Sequence, residues 1–238
     1  MKIKIAHIYP ELLNLYGDMG NIASLKKRAE WRNIEVEVIE YNINDIIDFK
    51  NTDILFIGGG SDKEQLTVCN KLKEYTKEIK KYVENNGVIV AICSGFEILG
   101  KYYKVNNEEV QALGLLDMYT EYADNRLIDD VIIKTDFLER PVVGFENHGG
   151  RVYINNHNPL GKVVYGNGNN GIDGFEGVMY KNVIGTYLHG PLLPKNPHLT
   201  DYIIKKALQN KYGEIELQEL DDSAEFAAND YIVNRFRN

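Results

Sequence analysis

The run Val88-Ile89-Val90-Ala91-Ile92 is short, apolar and rich in β-branched residues, so it reads as a buried strand. It ends abruptly at Cys93-Ser94-Gly95 and passes into Phe96-Glu97-Ile98-Leu99-Gly100, a segment compatible with a helix start. A strand, a sharp turn and a helix in direct succession confine the chain to an α/β architecture, with Cys93 projecting from the end of the sheet. Ala91 and Gly95 flank the cysteine where larger side chains would crowd the bend. A cysteine at such an elbow faces the positive end of the following helix, which is expected to lower its pKa. A lone cysteine is more often a core residue. The elbow favours a nucleophile instead.

The rest of the chain is consistent with a parallel sheet around that strand. Ile3 to Tyr9 alternates and meets Pro10, giving a first strand. A glycine-bearing loop, Leu15-Tyr16-Gly17-Asp18-Met19-Gly20-Asn21, precedes a helix from about Ile22 to Trp31, with Asn21 as its expected N-cap. Val36–Glu40 and Asp53–Ile57 read as further strands. The latter runs into Gly58-Gly59-Gly60, where glycine lets backbone N–H groups approach a ligand. No Gly-Lys-Ser/Thr follows, which excludes a nucleotide P-loop; taken alone the triplet is a tight turn. One long helix is expected from Asp62 to Glu84, stopped by Asn85-Asn86-Gly87.

Beyond Gly100 the alternation lapses. From Gln111 to Val183 short β-like runs such as Val131–Lys134 and Val163–Tyr165, among many glycines and asparagines, predict antiparallel strands and loops. Arg126 and the Glu146-Asn147-His148 stretch fall in expected loops there; a guanidinium beside a carboxamide suits a small molecule's carboxylate, although a surface arginine is the plainer reading. Val183–Leu188 then reads as a strand leading to His189, placed on the sheet edge where α/β ligands collect. Helices are expected over Leu199–Leu208 and Asp221–Phe236. No linker or repeat interrupts the sequence, so the whole of residues 1–238 is expected to form a single domain.

These parts suffice for cysteine attack on an acyl carbon: Cys93 as nucleophile, His189 as acid and base, and backbone N–H groups of Ser94 and of Gly59 or Gly60 as oxyanion donors. His7 in a strand, His157 in a turn and His198 at a helix start read as structural. No close histidine pair or CxxC spacing points to a metal. Two cysteines on separate elements give no disulfide framework, and no signal peptide or membrane-spanning run is evident; the expectation is a cytoplasmic protein. A formal net charge of -8 without a basic block argues against nucleic acid.

The elbow, Gly58-Gly59-Gly60 and Thr186-Tyr187-Leu188-His189-Gly190-Pro191 together resemble the class I glutamine amidotransferases, in particular the cobyric-acid-synthase-like branch. Leu15–Asn21 and Leu188–Pro197 are similar to signatures of the glutaminase subunits of lipid II isoglutaminyl synthases, and the resemblance spans nearly the whole chain. It implies a flavodoxin-like fold, a central mostly parallel sheet flanked by helices with an antiparallel extension. It also implies a glutamyl thioester on Cys93, assistance by His189, and substrate L-glutamine held by Arg126 and by the Gly59, Gly60, Ser94 and Glu97 positions. Ammonia would pass to a Mur-ligase-like, ATP-dependent partner subunit of the MurT type, which amidates D-glutamate of the lipid II stem peptide; the chain itself would need no cofactor. Two positions depart from the wider pattern: Glu97 stands where many relatives have Gln, and Pro191 where many have Glu. The alternatives are the same chemistry serving another acceptor such as cobyric acid, a non-catalytic partner-binding module, or a cysteine peptidase.

Overall fold

The computed structural model describes residues 1–105 and 108–236. In chain order the first half runs β1 (Lys2–Ile8), α1 (Met19–Glu30), β2 (Glu35–Tyr41), β3 (Ile54–Ile57), α2 (Asp62–Lys73), α3 (Thr76–Glu84), β4 (Val88–Ile92) and α4 (Ser94–Glu97). There follow β5 (Tyr102–Val105), β6 (Glu108–Gln111), β7 (Met118–Lys134), β8 (Val142–Ile154), β9 (Gly161–Tyr165), β10 (Phe175–Glu176), β11 (Val178–Tyr180), β12 (Val183–Thr186), α5 (Pro197–Tyr212) and α6 (Ser223–Arg235).

Two sheets share these strands. The first has the order β11-β12-β4-β3-β1-β2 and is parallel except for the β11/β12 pair. β3 and β4 are buried at every position, as unbroken apolar runs must be when both faces are covered. Period-2 geometry divides β4 between two cores. Ile89 and Ala91 pack towards α2 and α3, while Val88, Val90 and Ile92 pack towards α1 and α5. Burying each of the larger of these side chains contributes about 1.5–3 kcal/mol. The β4 end is thereby fixed in space, and the elbow with it.

The second sheet, β10-β9-β7-β5-β6 with β8 paired to β7, is antiparallel apart from β5/β7. It is the antiparallel extension, built from longer strands than the short runs suggest. β7 and β8 swallow the segments expected to be loops around Arg126 and around Glu146–His148. Their pairing shifts register between Tyr122 and Leu127, so a near-loop survives inside the ladder at Arg126.

Two helix readings are corrected. The expected helix over 62–84 is two: at Glu74 and Tyr75 the N–H groups bond Lys71 and Leu72, three residues back, and the Thr76 hydroxyl donates to the Lys73 carbonyl. An unbroken apolar period hides such a break. Asn21 is not an N-cap, since α1 begins at Met19; Asn21 is buried inside the first turn, donating to Asp18 Oδ1 and accepting from the Leu193 N–H.

α1 is held to the C-terminal helices by charge. The guanidinium of Arg28, 3% exposed, donates to both carboxylate oxygens of Asp201 and of Asp222 at 2.6–2.7 Å, and Arg32 adds a bond of 2.7 Å to Asp201.

Candidate active site

Cys93 leaves β4 with φ 53° and ψ -114°, a conformation that β-carbon-bearing residues occupy only under constraint. Three contacts impose it. The Cys93 N–H donates to the Thr186 carbonyl at 2.8 Å, and the Cys93 carbonyl accepts from the N–H groups of Phe96 and Glu97. Gly95 closes the bend from inside: a Cβ there would sit 2.6 Å from the carbonyl oxygens of Ile57 and Gly58.

His189 lies three residues beyond β12. Its backbone forms an isolated antiparallel bridge with Phe145 of β8, donating at 2.8 Å and accepting at 3.3 Å. The imidazole is buried, neither ring nitrogen has a hydrogen-bond partner among the described residues, and Tyr16 covers it with ring centroids 4.8 Å apart. The thiol-bearing carbon and the imidazole meet over Gly59. The point where a Cβ on that glycine would stand is 3.3 Å from both Cys93 Cβ and His189 Cε1.

A cavity of about 270 Å³ opens beside this pair, lined among others by Tyr16, Gln65, Ser94, Glu97, Arg126 and Asn147. That is just below the usual range of about 300–1,000 Å³ for small-molecule sites, which suits a ligand no larger than an amino acid. Arg126, freed by the register shift in β7, donates through Nε to Asn147 Oδ1 and through Nη2 to the Asn147 carbonyl, both at 2.7 Å. Asn147 in turn donates to the Tyr16 hydroxyl, so the second sheet reaches the loop over His189. On the cavity floor Glu97 accepts from Gln65 Nε2 at 2.7 Å and from the Tyr187 hydroxyl at 2.6 Å. Tyr187 stacks on His148 at 3.5 Å and 5°, and His148 Nδ1 lies 2.8 Å from the Gly150 carbonyl.

The electrostatics differ from the sequence expectation. Cys93 opens only partly to the cavity, and burial, followed by the nearby Glu97, pushes its thiol up; the Ser94 N–H and the Arg126 charge oppose this without prevailing. α4 is a single short turn, too little helix to lower the pKa against burial and the nearby Glu97. Burial likewise pushes His189 down to about 3, so the resting pair is a neutral thiol beside a neutral imidazole. Burial also raises Glu97, and it raises Asp18 to about 7.

The expected oxyanion donors need correction too. The Gly59 N–H already donates to Asp18 Oδ2 at 2.7 Å, and the Gly60 N–H to the Ser94 hydroxyl at 2.6 Å. Gly59, Gly60 and Ser94 do surround the site, but both glycine donors are engaged. Gln65 is a neighbour that sequence reasoning missed; Tyr16 and Asp18 lie in the glycine loop and Tyr187 in the Thr186–Pro191 stretch, singled out without a role for these side chains, and Asn147 carries the carboxamide expected beside Arg126.

The remaining histidines lie apart. His7 in β1 packs edge-to-face on Phe56, with burial lowering it to about 4; His157 accepts the Asp117 N–H; His198 in α5 is also lowered to about 4 by burial. Among the described residues no three His, Cys, Asp or Glu side chains converge as a metal site would require.

Glu176 supports the strand that delivers His189. Fully buried, it accepts from the Thr186 hydroxyl and from the Tyr187 N–H at 2.7 Å, and burial pushes it up to about 8. A carboxyl whose pKa is raised on folding adds stability at low pH that is lost as pH rises through the folded value. Glu176→Gln is therefore expected to raise Tm at pH 9, where the wild-type carboxylate is charged and buried, and to leave it nearly unchanged at pH 5. Thermal melts across that range measure it; an equal effect at both pH values would contradict it.

A family model described as a CobB/CobQ-like glutamine amidotransferase domain matches residues 4–197. The chain is 44% identical over 235 residues to the lipid II isoglutaminyl synthase (glutamine-hydrolyzing) subunit GatD of Staphylococcus aureus (strain N315), covering 98% of this chain and 96% of that protein. It is 42% identical to the corresponding subunit of Streptococcus pneumoniae (strain ATCC BAA-255 / R6), covering 93% and 86%. A cobyric acid synthase of Clostridium botulinum (strain 657 / Type Ba4) is 33% identical, over 75% of this chain and 39% of its own length. Among solved structures, a glutamine amidotransferase superposes with a TM-score of 0.55 at 18% identity, covering 85% of this chain and 98% of that one. The glutaminase domain of Trypanosoma brucei CTPS with bound acivicin gives 0.53 at 11%, covering 91% and 96%.

Proposed function

We propose, from the premise that this chain belongs to the CobB/CobQ-like glutamine amidotransferase family, a glutaminase that hydrolyses L-glutamine on Cys93 and supplies ammonia for amidation of a peptidoglycan precursor. The fold is that of a class I glutamine amidotransferase. The observation that carries the chemistry is the meeting of Cys93 and His189 over the Gly59 backbone, at the carboxyl edge of the parallel sheet and beside a cavity guarded by Arg126.

The steps follow from that geometry. Glutamine enters with its α-carboxylate towards Arg126 and its carboxamide towards Cys93. As Sγ bonds the carboxamide carbon, the thiol proton moves to His189, since a thiol pushed up and an imidazole pushed down hold no preformed ion pair. The tetrahedral intermediate collapses by breaking the C–N bond, and His189 returns the proton so that ammonia leaves. Water, deprotonated by His189, then attacks the thioester, releasing glutamate and restoring the thiol.

The S. aureus and S. pneumoniae relatives are named as subunits of lipid II isoglutaminyl synthase. By that likeness the ammonia goes to an ATP-dependent, Mur-ligase-like partner that amidates D-glutamate of the lipid II stem peptide. We place the pair in the cytoplasm. Among the described residues no helix is long and apolar enough to cross a membrane.

The test is glutamate release from L-glutamine by the purified chain, alone and with a Mur-ligase-like subunit from the same organism, followed by mass spectrometry of the lipid II product. Amidated product that depends on both subunits supports the reading, and glutamate release without any amidation refutes the acceptor. His189→Asn is expected to lower kcat by about 10²–10⁴-fold with KM little changed. A rise in KM with kcat unchanged would move His189 out of the chemical step.

A further inference from the structure

We infer that the Ser94 side-chain hydroxyl, held by the Gly60 N–H, is the oxyanion donor that Gly60 itself does not supply, and hence a catalytic residue. The inference rests on the glutaminase reading and goes beyond it, since that reading asks only for backbone donors.

The Gly60 N–H to Ser94 Oγ distance is 2.6 Å, at the short limit for such a bond. Neither end has room to drift. A Cβ on Gly60 would come within 2.7 Å of the Leu13 side chain and 2.9 Å of the Leu12 carbonyl, so the glycine is wedged against the loop after β1. Ser94 is 4% exposed and stands at the start of α4, where its carbonyl accepts from the Ile98 N–H.

A hydroxyl carries one proton and two lone pairs. One lone pair takes the Gly60 N–H. Among the described residues the proton of Ser94 has no acceptor, and the residue faces the cavity beside Cys93. When Sγ bonds the carboxamide carbon beside this wall of the cavity, the Ser94 hydroxyl can turn its free proton towards the charge that develops on the carboxamide oxygen. An O–H whose oxygen accepts from an amide is polarised by it and donates more strongly. Gly60 acts on the oxyanion through the serine. The bond count is unchanged: the hydroxyl lends a hydrogen bond and transfers no proton.

The test uses wild type, Ser94→Ala and Ser94→Thr, assayed with L-glutamine and with L-glutamate γ-semialdehyde, which forms a hemithioacetal on cysteine and sets an oxygen where the oxyanion forms. Ser94→Ala is expected to lower kcat on the order of 10²-fold, the usual loss for one oxyanion donor, with KM within about twofold. The semialdehyde should bind it more weakly by a similar factor, while Ser94→Thr, which keeps the hydroxyl, recovers most of both. An unchanged or raised kcat in Ser94→Ala overturns the inference, because the hydroxyl would then merely be blocking Gly60. So does a loss shared equally by alanine and threonine and accompanied by a fall in Tm. A wild-type chain inert towards both compounds removes the glutaminase reading as well.

Discussion

Replacing Cys93 by alanine is expected to cut glutamate release by about 10⁴-fold or more, on the scale seen when a nucleophile is removed from a group of residues that act together. No second thiol can substitute: Cys69 is buried in α2, packed in the core on the face of β4 towards α2 and α3. The same position stores strain, since Cys93 sits at φ 53° with a Cβ. Such conformations cost of order 1–3 kcal/mol. Cys93→Gly relieves that strain and should melt several degrees above Cys93→Ala, at about 2–4 °C per kcal/mol for a chain of this size. Both variants should be inactive. Glutaminase assays and thermal melts on the pair separate chemistry from conformation, and turnover surviving in either would sink the nucleophile assignment.

The largest loss of stability is expected at Arg28. Its guanidinium bridges Asp201 in α5 and Asp222 at the start of α6, and all its bonds to them are 2.6–2.7 Å. Removing one partner from a buried ionic group costs about 3–5 kcal/mol, because charge is left without compensation. Arg28→Met should therefore lower Tm by roughly 6–20 °C. Asp201 keeps Arg32. Asp222, whose side chain bonds only Arg28 among the described residues, is the stranded group. Arg28→Met combined with Asp222→Asn should thus be clearly less destabilised than the two single changes added together. Strict additivity, or a Tm within about 2 °C of wild type for Arg28→Met, would count against the network.

Much of this was legible because it is local. An apolar β-branched run that halts at Cys-Ser-Gly can hardly be anything but a strand entering a bend, and a histidine just past a strand of the same sheet belongs on the same edge. Cys93 and His189 follow from that logic, and so does the parallel sheet. What the sequence hid depends on contacts between distant segments. Asp18, Gln65 and Tyr187 reach the site from three separate segments. The thiol's pKa was misjudged because helix position is visible in a sequence and enclosure is not. The occupied N–H groups of Gly59 and Gly60 are side-chain contacts, which no spacing rule reports. The break between α2 and α3 escaped because apolar residues keep their period across it.

The bridge between His189 and Phe145 has one more consequence. It makes the proton-carrying imidazole part of the seam where the two sheets are stitched together. Rocking of one sheet against the other acts on that ring through Phe145, while the sulfur is held within the first sheet by β4 and by the Thr186 carbonyl. The precision of proton delivery is then a property of how stiffly the two halves are joined, and a protein that grips the outer strands has a mechanical handle on the rate without approaching the substrate.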